Sequence, residues 1–88
     1  MRIIDGFKLR TLGRDYIVVG EGIKQVNFNK MISLNETAAY LWKELAGKDF
    51  EVDDMVRLLL DKYEVAEDVA RDDCEKLAIA WKEAQLVK

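Results

Sequence analysis

The 88-residue chain predicts an α+β fold: a small three-stranded antiparallel sheet followed by three helices. Two observations carry this. Between Phe7 and Leu34 apolar and polar residues alternate in short runs separated by glycine- and asparagine-containing breaks, the period-2 pattern of half-buried strands. From Asn35 onward the apolar spacing changes to that of helices in three successive stretches, with no proline to break them and short segments between them. A small sheet covered by helices is the natural way to bury both sets of apolar faces.

Phe7-Lys8-Leu9-Arg10-Thr11 places Phe7, Leu9 and Thr11 on one side of a first strand and Lys8 and Arg10 on the other. Leu12-Gly13-Arg14-Asp15 reads as a turn because Gly13 accepts positive φ. Tyr16-Ile17-Val18-Val19 then forms a second strand of aromatic and branched residues, interrupted by Gly20-Glu21-Gly22. In the following stretch Val26 and Phe28 alternate before Asn29-Lys30, which leaves the second strand either extended or broken. Asn27 or Asn29 initiates a turn into a third strand, Met31 to Leu34.

The first helix starts at Asn35, whose side chain suits the N-cap, with Glu36 complementing the helix dipole. Ala38, Leu41, Trp42 and Leu45 form its apolar face, Leu34 and Ala39 a hydrophobic staple, and Gly47 its stop. A second helix covers Val52 to Tyr63, with Asp49 or Glu51 near its cap and Asp53 and Asp54 in its first turn. Met55, Leu58, Leu59 and either Lys62 or Tyr63 share its apolar face, and Arg57 and Asp61 form an i,i+4 pair outside it. The third helix runs from about Glu67 to Glu83 or Ala84, with Cys74, Leu77, Ala78 and Trp81 inward; Leu86 and Val87 fold back to close the core.

Composition bounds the function. Half the residues are apolar and 35% are charged, a globular balance for one domain spanning residues 1–88. The formal charge of −3 and a pI near 4.9 weigh against a polyphosphate partner, so no nucleic acid is expected. Arg2 is followed by Ile3-Ile4-Asp5-Gly6 without a signal-peptide run, and no stretch has the apolar length of a membrane span, so the expected setting is cytoplasmic with no membrane partner.

The same residues offer little chemistry. Without histidine there is no Ser-His-acid triad and the commonest metal ligand is missing. Ser33, the one serine, has no base beyond Lys30. Neighbouring carboxylates at Glu67-Asp68 and Asp72-Asp73 diverge on a helix and are explained by solvation and the dipole. Cys74 sits in an apolar stripe beside acidic neighbours, the setting of an inert buried thiol. Gly20-Glu21-Gly22-Ile23-Lys24 lacks the rest of a phosphate loop, and Trp42 and Trp81 read as core anchors. No enzyme activity, cofactor or metal is therefore expected.

In order, "MISLNETAAYLWKEL", Gly47, "FEVDDMVRLLLDKY" and "ARDDCEKLAIAWKEAQLV" resemble the PqqD-like family over roughly residues 7–87. The most specific piece is Leu34 to Ala39 with Leu41-Trp42 one turn later, supported by Tyr63 and Asp73. The resemblance implies a winged helix-turn-helix-like fold that binds the leader of a ribosomally made precursor peptide. It further implies a peptide chaperone beside a modifying enzyme, a radical S-adenosylmethionine enzyme in the family's founding role in pyrroloquinoline quinone biosynthesis. Two positions depart from the family pattern: Gln85 stands where a glycine usually precedes the closing apolar pair, and Glu51 where a small polar cap usually precedes the second helix.

In the family the leader lies beside the third strand and near the third helix. Carried over by matching segments, this implies peptide contacts at Lys30, Met31, Ile32 and Ser33, and at Arg71, Asp72, Glu75 and Lys76. The physical mode would be β augmentation, in which an edge strand pairs its unused backbone groups with an extended peptide. Two other functions compete: a winged-helix DNA-binding regulator, opposed by the acidic first half of the third helix, and a structural subunit that binds a folded enzyme surface. An open strand edge is also able to recruit a second copy of the chain into a homo-oligomer.

Overall fold

The computed structural model describes residues 1–20 and 31–88. Three strands, β1 (Phe7–Leu12), β2 (Asp15–Gly20) and β3 (Met31–Leu34), precede three helices, α1 (Glu36–Leu45), α2 (Val52–Lys62) and α3 (Glu67–Glu83). The sheet is antiparallel in the order β1-β2-β3, so β3 pairs with β2 alone among the described residues. The expected turn at Asn27 or Asn29 and the expected contact at Lys30 lie outside the described residues.

β1 and β2 are joined by the two residues Gly13 and Arg14, with Leu12 opposite Asp15. Gly13 has φ +63°, a positive value at the first loop position where a tight hairpin requires glycine. Register then fixes the faces. Phe7 and Val18 are buried with Leu34 on the helix side, whereas Lys8 is opposite Val19, and Val19 opposite Met31, on the outer side.

α1 begins with the Asn35 carboxamide oxygen accepting the Ala38 N–H at 2.8 Å. Leu34 and Ala39, on either side of the cap, are both buried. Gly47 follows the helix at φ +81°, as its place after the last turn requires. At α2, the Asp54 carboxylate accepts the Glu51 backbone N–H at 2.8 Å, so the glutamate in the cap position is served by the residue three places on. Trp42 and Trp81 pack edge-to-face with centroids 5.3 Å apart and join α1 to α3 at the centre of the core.

Some expectations needed revision. Arg57 reaches back to Asp54 at 3.5 Å, one turn toward the helix start, where the acidic first turn lies, and not forward to Asp61. Tyr63 lies just past α2 in extended conformation and meets Tyr40 edge-to-face at 6.0 Å. Buried Val56, Ala70 and Phe50 complete the core beside the expected apolar faces. Leu86 and Val87 do close the core, but through backbone pairing: Ile3 bridges Val87, with Arg2 and Lys88 exchanging two bonds of 2.8 Å. That tie between chain start and chain end has no alternation long enough to announce it in sequence.

Candidate functional site

The four residues of β3 alternate in exposure: Met31 and Ser33 outward, Ile32 half-buried, Leu34 buried. Since β2 occupies one side of β3, the other side, unpaired among the described residues, carries the backbone N–H and C=O groups that pairing with β2 does not use. This edge is held firmly. Leu34 anchors it in the core, Asn35 follows at once as the α1 cap, and the Asn35 carbonyl accepts the Ala39 N–H at 2.9 Å. One turn on, fully buried Leu41 and nearly buried Trp42 fix the helix to the rest of the core.

A groove of ≈ 380 Å³ starts where β3 ends, between the first turns of α1 and the outer side of α3. Its floor is apolar, built from Ala38, Leu41, Leu59 and Cys74. Asp73, Lys76, Leu77 and Ala80 form the α3 wall, at spacings of three and four that place them on one helix face. Asn35 and Thr37 supply polar groups on the α1 side. Lys76 bonds Asp72 at 2.9 Å, and that hydrogen bond holds its ammonium above the ordinary lysine pKa and therefore charged at neutral pH. Burial, followed by the charge of Asp73, pushes the Cys74 thiol up to about 11, so the sulfur in the floor is a protonated apolar group and not a nucleophile.

The residues expected from the resemblance separate here into distinct surroundings. Met31, Ile32 and Ser33 are the edge strand itself. Lys76 lines the groove, with Asp72 attached to it by the ion pair. Arg71 belongs to the α2–α3 seam: it donates to Asp53 at 2.7 Å and lies 3.7 Å from Glu67. Glu75, one turn after Arg71, is exposed and outside the groove lining. Thr37, Leu77 and Ala80 are groove residues that sequence reasoning did not single out. Leu77 was readable only as core, because a residue at the margin of an apolar stripe faces both the interior and the cleft.

The site combines a strand edge with an apolar groove that has charged residues in its α3 wall. Among the described residues no group of three His, Cys, Asp or Glu side chains is placed to hold a metal ion, and no helix is long and apolar enough to cross a membrane.

Comparison with known proteins bears on that character. The family model described as coenzyme PQQ synthesis protein D (PqqD) matches residues 15–87. Two solved structures share the fold. TbiB1 in complex with the TbiA(beta) leader peptide has a TM-score of 0.77 at 14% identity, covering 100% of this chain and 95% of that one. Lasso peptide synthetase B1 complexed with the leader peptide has a TM-score of 0.67 at 21% identity, covering 93% and 89%. No match was found among curated proteins.

Proposed function

This chain belongs to the PqqD family, and on that premise we propose that it is a noncatalytic domain that binds a precursor leader peptide and presents it to a modifying enzyme. The observation that carries the reading is the β3 edge, unpaired among the described residues, followed at Asn35 by a groove with an apolar floor. Two proteins of the same fold are described in complex with leader peptides, which supports the assignment.

An extended leader pairs with β3, and its backbone gains hydrogen bonds whose net value is about 0.5–1.5 kcal/mol each. Such bonds are indifferent to side-chain identity. Selectivity comes from the groove, where burying one large apolar leader residue adds roughly 1.5–3 kcal/mol while Asp73 and Lys76 at the wall select charges on either side of it. Ordering the free peptide costs about 2–5 kcal/mol, which these gains offset.

The chemistry of modification resides with the partner. The family's association with coenzyme PQQ synthesis supports a radical S-adenosylmethionine enzyme in that role, and cytoplasmic action beside newly made precursors. Of the predicted contacts, Met31, Ile32 and Ser33 provide the pairing edge, with Lys30 immediately before it; Lys76, with Asp72, provides charge at the groove. Arg71 and Glu75 act on the leader only indirectly, by setting the α2–α3 seam and the surface beside it. A second chain pairing at β3 would form a homodimer that leader displaces.

Fluorescence anisotropy with a labelled leader from the precursor encoded beside this chain tests the reading. Leu77→Glu places a charge in the apolar groove and is expected to weaken binding by about tenfold or more, since an unpaired buried charge is costly. Wild-type affinity in that variant would sink the groove assignment.

A further inference from the structure

The face of the sheet opposite the helices lies away from the groove lining. Register lines up Lys8, Val19 and Met31 in one row across it and Arg10, Ile17 and Ser33 in the next, with Leu12 opposite Asp15 at the hairpin end. Leu12 and Met31 are 64% and 66% exposed, among the most exposed large apolar residues described, and Ile17 and Val19 lie half-buried between them. The buried side chains of the sheet, Phe7, Val18 and Leu34, are all on the other face, where α1 packs.

Charge is also divided between the layers. The described β1–β2 hairpin carries Lys8, Arg10 and Arg14 against Asp15, whereas residues 36–83 carry seven Lys or Arg against fourteen Asp or Glu. The sheet thus carries a basic hairpin on an acidic protein. Its outer face combines an apolar strip with Lys8, Arg10 and Arg14 at one margin, complementary to an acidic surface with an apolar centre.

We infer that this outer face of the sheet is where the peptide-modifying enzyme docks, through an acidic surface with an apolar centre, and that a bound leader strand enlarges the docking face. The inference rests on the leader-presentation reading for the identity of the partner. A leader paired to β3 adds a strand about 4.8 Å further on, and its outward side chains fall beside Met31 and Ser33. An enzyme seated on the face touches chain and leader together. Leader therefore tightens enzyme binding, and linkage requires the enzyme to tighten leader binding by the same factor.

The test measures binding of the full chain to the purified modifying enzyme encoded beside it, with and without saturating leader, at low and high salt. A Lys8→Glu/Leu12→Glu variant changes β1, two strands away from the leader edge, and is expected to lose about tenfold or more of enzyme affinity and most of its salt dependence. Its leader affinity stays within about twofold of wild type. Lys8→Gln/Leu12→Ser should act in the same direction, and circular dichroism checks that both variants fold. Wild-type enzyme affinity in the two double variants would overturn the inference. So would a Glu64→Lys change, in the acidic layer, that raised affinity as much as the β1 changes lowered it, because net charge and not this face would then govern. Failure of wild-type chain to bind leader is read in a separate arm and counts against leader presentation, whereas the variant series still decides the docking face.

Discussion

Gln85 has φ 62°, the one described residue other than glycine in the left-handed region, and it follows the end of α3 where its family usually has glycine. A β-carbon at such a position costs roughly 1–2 kcal/mol. Gln85→Gly should therefore stabilise the domain, by about 0.5–1 kcal/mol after the added flexibility of the unfolded chain is counted, as read by urea denaturation. The departure was visible in the sequence as a residue type; its backbone consequence was not, since nothing local says that glutamine must accept positive φ when Leu86 is pulled back into the core. Asn35 was fully legible, because a capping side chain followed by a helical period is a local signal. Asn35→Ala should cost about 1 kcal/mol and, by loosening the junction, weaken leader binding as well.

Cys74 gives a pH prediction at the same scale. Its thiol, ordinarily near 9, is raised to about 11 by burial. The folded state thus holds its proton where the unfolded state has released it. The sign follows: the stability associated with the neutral thiol is whole below pH 9 and is lost as pH rises from about 9 toward 11. Tyr40, raised by burial and then by Glu44 and Asp61, adds in the same direction. Denaturation midpoints across the alkaline range should fall over that interval, and Cys74→Ala should flatten part of the decline. In the native protein at neutral pH, a thiol reagent should label Cys74 far more slowly than after unfolding.

Among the elements, α1 and α3 were legible because their apolar periods are long, and β3 because a four-residue alternation ends at a cap. What sequence could not assign was the outer side of α3. Asp72, Asp73, Glu75 and Lys76 look alike as a charged run, yet the helix sends Asp73 and Lys76 to the groove and leaves Glu75 outside its lining. Arg71 was read through the same resemblance, but its guanidinium is engaged by Asp53 of α2, a contact between residues 18 apart that no local pattern encodes. This division leads to a comparison. Lys76→Glu should alter leader affinity and its salt dependence, whereas Glu75→Ala should change affinity by less than about twofold, being an exposed site off the groove. Equal effects of the two changes in anisotropy titrations would show that charge near α3, and not the groove wall, sets recognition.

At the scale of the whole molecule, the order of elements makes β3 an edge and α1 its immediate support, so capture of a peptide requires no opening of the core. The acidic helix layer and the basic β1–β2 hairpin add a polarity that composition alone conceals, because the totals sum to only −3. That polarity was present in the sequence, but it acquired meaning once the register showed which basic residues share the outer face. Capture of a leader along β3 and the adjoining groove is checked most directly by backbone NMR titration with the cognate leader. Saturable shifts are expected at Met31 to Leu34, at Asn35 and Thr37, and at Asp73, Lys76, Leu77 and Ala80 on α3. Absence of any shift with the cognate leader, or shifts confined to α2 and the α1–α2 connection, would contradict it.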